Sequence, residues 1–127
     1  MLCSEIFDAA LKILGEAGGE SENPDYAERA PYIIASFIGE VRESDERYRL
    51  SHGLEAKDIP DRVYVPLEDE FFLSGRFASP CALYLASILI SDENPELSES
   101  YYDRYCDSIS AIQSALPSRS ESITEVY

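Results

Sequence analysis

Most of this chain spaces its apolar residues three or four apart, but one stretch has no polar face at all. Between Ser79 and Ser91 it reads SPCALYLASILIS, and every residue from Cys81 to Ile90 except Ser87 is apolar or aromatic. A helix apolar all round must be covered on every side, by its own domain or by lipid. About twelve residues of helix span some 18 Å, short of a hydrocarbon core of roughly 30 Å. The stretch therefore reads as a central core helix, capped by Ser79 and opened by Pro80. Ala82 and Ala86 allow a close neighbour on one face, while Leu85, Ile88 and Leu89 fill the opposite contacts.

Amphipathic helices are predicted around it. The first starts at Ser4, with Phe7, Ala10, Leu11 and Leu14 on one face and Glu5 and Asp8 near its positive end. Gly15, Gly18 and Gly19 end it, and ESENP forms a polar connection. A second begins near Asp25, where Tyr26, Ala30, Ile33, Ile34, Phe37, Ile38 and Val41 keep helical spacing and Glu28, Arg29, Glu40, Arg42 and Glu43 turn outward. Pro31 interrupts it at a cost of about 3 kcal/mol. This predicts either a kink or a short turn over 25–30 before a main helix over 31–44, with Tyr48 and Leu50 extending the packing beyond SDER. The last helix follows the turn SDENP, with Pro95 in its first turn. Leu97, Tyr101, Tyr105, Ile109, Ile112 and Leu116 form its stripe, Tyr102 and Cys106 widen it, and Pro117 stops it. Joined by a short turn, the last two helices should pack antiparallel.

The pattern changes over 51–78. Gly53, Pro60, Pro66 and Gly75 break helices, while Val63 and Val65 in RVYVPL alternate as in a strand. So long a connection predicts a small hairpin or extended arm, then a helical turn at LEDEFFL. Phe71, Phe72, Leu73 and Phe77 are too many apolar groups for a solvated loop. They either close one end of the core or present a docking patch to a partner. The tail 117–127 ends in Ile123, Val126 and Tyr127 and has no helical face. It is either disordered or an arm that adds to a neighbour. The expected fold is a single mainly α domain over 1–127, a bundle of about four helices with an insertion at 51–78 and a C-terminal arm at 117–127.

Composition limits the chemistry. The chain has 127 residues, 45% of them hydrophobic, which is ample for one folded domain. Its 10 Lys and Arg against 25 Asp and Glu give a net charge of −15. That balance repels phosphates and anionic lipid at long range. It leaves open a plain solvated surface, a basic partner, or a wall past which DNA moves without sticking. Cys3, Cys81 and Cys106 are odd in number and widely spaced, as expected of reduced cysteines rather than a disulfide framework. The N-terminal stretch lacks the basic leader of a signal peptide, and no stretch is long enough to span a membrane.

Candidate catalytic and metal-binding patterns are weak. His52 is the sole histidine, and no Cys-x-x-Cys pair exists to hold zinc. The acidic runs Ser44–Arg49 and Ser91–Glu96 lack the ligand alternation of a calcium loop and read as solvated turns and a helix cap. The glycines of 15–19 follow no strand and precede no lysine, so they form no phosphate cradle. Lys and Arg are dispersed among acids rather than gathered into a nucleic-acid-binding patch. No enzyme, cofactor or metal is expected from these patterns.

The order of elements resembles the head-to-tail connector (adaptor, or head-completion) proteins of tailed bacteriophages and prophages. Three passages carry the likeness. They are DYAERAPYIIASFIGEV, then LEDEFFLSGRFASPCALYLASILISDENPELSESYYDRYCDSI with its tyrosines four apart, and the ITEVY end. The likeness as a pattern covers about three-quarters of the chain, and the segment Arg47–Val65 falls outside it. The resemblance implies a non-enzymatic virion component, made in the host bacterial cytoplasm and resident in the neck. Such proteins form a ring, usually of twelve copies, between the portal protein and a stopper or tail-completion protein. The ring continues the DNA channel without binding DNA specifically. Phe71, Phe72, Phe77, Ile123, Val126 and Tyr127 are then the candidate partner contacts. The competing expectation is an acidic regulatory module that mimics DNA and occupies a basic partner.

Overall fold

Each predicted helical stripe becomes a helix. The computed structural model describes residues 1–116. Among them α1 covers Cys3–Leu14, α2 Pro24–Ser51, α3 Ala78–Leu89 and α4 Pro95–Ser114, with a 3₁₀ turn at Gly75–Phe77 leading into α3. The architecture is mainly α, four helices packed as a bundle. α3 lies at its centre and touches all three of the others. Cys81, Leu85, Ala86 and Leu89 are fully or almost fully buried. Leaving such a helix bare would expose several side chains, each worth about 1.5–3 kcal/mol when removed from water.

α2 runs antiparallel to α3. Near its start, Arg29 donates to the Ile88 and Leu89 carbonyls at 3.3 and 3.5 Å. Further along, Ser36 pairs with Tyr84 at 3.2 Å, and Tyr48 meets the Phe77 ring edge-on at 6.1 Å. Arg29 thus places a cation on the carbonyls that α3 leaves open at its negative end. α3 and α4 form the expected antiparallel hairpin, joined by a bond of 2.7 Å from Ser98 Oγ to the Ser87 carbonyl. Asn94 caps α4 by accepting from the Leu97 N–H at 3.1 Å, ahead of Pro95. Gly15 closes α1 in the left-handed region at φ 77°, where a side chain is disfavoured.

The structure corrects four details. Of the kink or division expected at Pro31, the division does not occur: α2 runs as one helix through Pro31 and on to Ser51, instead of ending near 44. The Pro31 ring is buried, and its carbonyl accepts from the Val65 N–H at 3.1 Å, so the proline also serves as an anchor point for the next segment. Ser44 and Asp45, expected in a solvated turn, lie inside this helix and are buried. α3 is entered through the 3₁₀ turn rather than at Ser79, whose side chain is exposed. Tyr102 and Cys106 lie on the open side of α4, because one face of that helix is sufficient to cover α3.

The segment 52–74 contains no strand; among the described residues its sole β-type pairing is one antiparallel bridge, Leu2 to Glu70. Of the hairpin or extended arm expected here, the hairpin does not form. Val63 and Val65, alike in the alternation pattern, go to opposite environments: Val63 is exposed and Val65 buried. LEDEFFL forms a turn instead of a helical turn, and its backbone completes α1. The Asp69 and Leu67 carbonyls accept the free N–H groups of Cys3 and Ser4 at 2.9 and 2.8 Å, and Glu5 accepts from Leu2 at 2.6 Å.

Candidate interaction surface

The aromatic cluster read as either core or docking patch is core at two of its three phenylalanines. Phe71 stacks on Phe37 at 6.5 Å, and Phe77 is fully buried against Tyr48. Neither ring faces solvent. Phe72 is half-buried under the side chains of Arg62 and Lys57, 5.0 and 5.7 Å from its centre. Ile123, Val126 and Tyr127 lie outside the described residues.

Polar groups inside the bundle are used for packing. Phe37, Tyr84 and Tyr105 form an aromatic layer with ring centres 5.0–6.0 Å apart. The Tyr105 hydroxyl donates to Glu40 at 3.0 Å, and Tyr26 to Glu93 at 2.9 Å. Burial, then the hydrogen bond to Glu93, pushes the Tyr26 phenol up to about 12. Burial and the negative Glu40 raise Tyr105 further. Both phenols are donors that lock α2 to its neighbours, and neither is poised to accept a proton at neutral pH. Asp45 sits at 1% exposure, takes the Ser74 N–H on one oxygen at 2.8 Å and the Arg49 side chain on the other at 3.0 Å.

His52 lies at the end of α2, its ring stacked on Tyr48 at 4.2 Å and its Nδ1 beside the Ser51 hydroxyl and the Tyr48 carbonyl. Cys3 and Cys81 are buried, and Cys106 is exposed on α4. The fold brings no cysteine into bonding contact with His52 among the described hydrogen bonds. Among the described residues no three His, Cys, Asp or Glu side chains gather as a metal site, and no helix is long and apolar enough to cross a membrane.

The outer surface offers shape and charge. A polar cleft of about 520 Å³ runs between α2 and the segment after it, lined by Arg42, Glu43, Glu46, Lys57, Asp58 and Ile59. An acidic one of about 290 Å³ lies at Glu16, Glu22, Asp25 and Glu93. An apolar groove of about 320 Å³ separates α1 from the start of α3, walled by Ile6, Ala9, Ile13, Ala78 and Ala82. Elsewhere Val63 is 83% exposed beside Tyr64 and Tyr32, whose rings meet edge to face at 5.0 Å. Sequence reasoning missed this exposed cluster, although Tyr32 does fall off the Ile33–Ile34 stripe of α2. The arrangement is equipped for contact through apolar relief on an acidic body. Compared with protein-family models, with curated proteins and with solved structures, this chain matches none.

Proposed function

We propose that this protein is a structural, non-enzymatic component of a tailed-bacteriophage neck, assembling as a ring between the portal and a stopper or tail-completion protein. The observation that carries the reading is the division of the molecule into a bundle built around α3 and a long exposed run on the connection after α2. From Leu50 to Tyr64 every residue but Ile59 is exposed. A neck subunit needs a body that keeps its shape under packaged DNA and surface left over to grip neighbours. The resemblance of the three passages quoted above supports the same assignment. The charge of −15 suits a channel wall, because cations on phosphates would hold DNA where it has to slide.

The test is reconstitution with the portal protein encoded nearest to it. Mixed with portal rings, the chain is expected to co-sediment in a fixed ratio and to appear as an added ring in electron micrographs. Failure to associate with that portal under any salt condition overturns the assignment. Recovery of a basic nuclease or repressor, with no virion protein, favours the DNA-mimic reading instead.

A further inference from the structure

A ring closed by rotation joins two unlike patches of the same chain, one on each side of every subunit. Among the described residues the surface holds an apolar projection and an apolar recess built on different elements. The projection is Val63 with Tyr64, backed by Tyr32 of α2. It is held in place, since Val65 two residues on is buried and donates its N–H to the Pro31 carbonyl at 3.1 Å. A projection fixed before contact loses little freedom on binding. The recess is the groove of about 320 Å³ between α1 and α3, shallow because its walls include Ala9, Ala78 and Ala82.

Electrostatics says which partner fits. Two copies, each carrying −15, repel everywhere except where charge is locally cancelled. Around the projection, Arg42 pairs with Asp61 and Arg62 with Asp69. At the recess, Glu5 and Lys12 offset each other. Both apolar features therefore have charges beside them that are paired or offset, on a molecule that is acidic as a whole. Those are the places where like-charged copies can approach. A basic partner would instead be drawn to the uncancelled carboxylates elsewhere.

We infer that Val63 and Tyr64 form the docking knob for a second copy of this chain, and that they enter the α1–α3 groove of that copy. The knob is the apolar anchor at the centre of a larger contact, and its tyrosines are of the type that dominates such anchors. The inference rests on the neck-ring reading for its demand for two unlike faces.

Cross-linking tests it in the full chain with Cys106→Ser, which removes the exposed thiol. The double variant Val63→Cys/Ala9→Cys is expected to give a ladder of covalent oligomers under mild oxidation. A mixture of the two single variants should stop at dimers, and each alone should give none. Val63→Glu should weaken self-association at least tenfold in sedimentation velocity while the circular dichroism stays unchanged, and Ala9→Trp, which fills the groove, should do the same. Rings on the portal without the ladder, and unaffected by Val63→Glu, overturn the inference and leave the neck assignment standing. A ladder without portal binding supports the inference and removes that assignment. Dimers of the Val63→Cys variant alone mean a symmetric contact and overturn it, as does an absence of self-association alone and with portal. Groove-filling by residues 117–127 is the rival occupant. If deleting them abolishes assembly while Val63→Glu does not, the knob is wrong.

Discussion

Asp45 and Ser74 are 29 residues apart in the chain, and the carboxylate of one accepts the backbone N–H of the other at 2.8 Å. Ser74 immediately precedes the 3₁₀ turn that opens α3, so this bond fixes where the central helix begins relative to α2. The second oxygen of Asp45 is held by Arg49 one helical turn on. Cutting this clasp leaves a buried donor and an arginine without their acceptor. Asp45→Ala is expected to lower stability by about 3 kcal/mol, and Asp45→Asn, which keeps one oxygen for Ser74, by about half as much. Urea midpoints at constant slope measure both. A loss under about 0.5 kcal/mol for the alanine variant rules the clasp out.

Buried phenols make the fold sensitive to alkali. Tyr26 keeps its proton to about 12 when folded, whereas an unfolded tyrosine releases it near 10. Over that interval the folded chain holds a proton that the unfolded chain has lost, so stability falls as pH rises. It is complete below about pH 10 and is lost as the folded value is passed. Tyr105 adds to the trend in the same direction. Urea titrations at pH 8.5, 10 and 11 should show the midpoint dropping, less steeply in Tyr26→Phe. A midpoint flat to pH 11 contradicts the burial of both phenols.

Thiol chemistry reports the same interior. Burial pushes Cys3 up to about 11 and Cys81 well above the usual thiol value, while Cys106 is exposed. Of the 3 cysteines, one is expected to react promptly with a disulfide reagent at pH 8 in the native protein, and all 3 in denaturant. Rapid labelling of Cys81 in native protein means that α3 is not the enclosed helix described above.

Core and surface apolar groups should respond to substitution by very different amounts. Phe77→Ala and Leu85→Ala each remove a side chain at 0% exposure and should cost about 3–5 kcal/mol, seen as lowered melting temperatures. Val63→Ser removes an exposed one and should change stability by less than about 0.5 kcal/mol. Equal effects at Phe77 and Val63 mean that one of the two has been placed on the wrong side of the surface.

Helices were legible wherever burial follows a period, as in the Phe7–Leu11 and Tyr105–Ile112 stripes. The centrality of α3 was legible as well, since a stretch without a polar face admits few placements. The length of α2 was not. Beyond Val41 its interior residues are Ser44 and Asp45, which announce a turn in sequence and become core only through distant or later partners, Gln113 for Ser44, and Ser74 and Arg49 for Asp45. Local spacing also separated neither Val63 from Val65 nor Phe72 from Phe71. Their fates depend on Pro31 and Phe37, partners tens of residues away. The interaction surface was the least legible part, because an exposed apolar residue and a buried one look the same until the fold assigns them a side.

The completion of α1 by the Leu67 and Asp69 carbonyls has a consequence in time. On the ribosome, the first helix emerges long before the residues that finish its opening turn. Until the chain has grown past Phe71 those N–H groups depend on water, and the apolar face of α1 has no α3 to meet. The first half of the protein thus cannot settle early and wait for the second. Nascent chains ending near Ser51 should remain unsettled, and native structure should appear as one late event once the last helices are free of the exit tunnel.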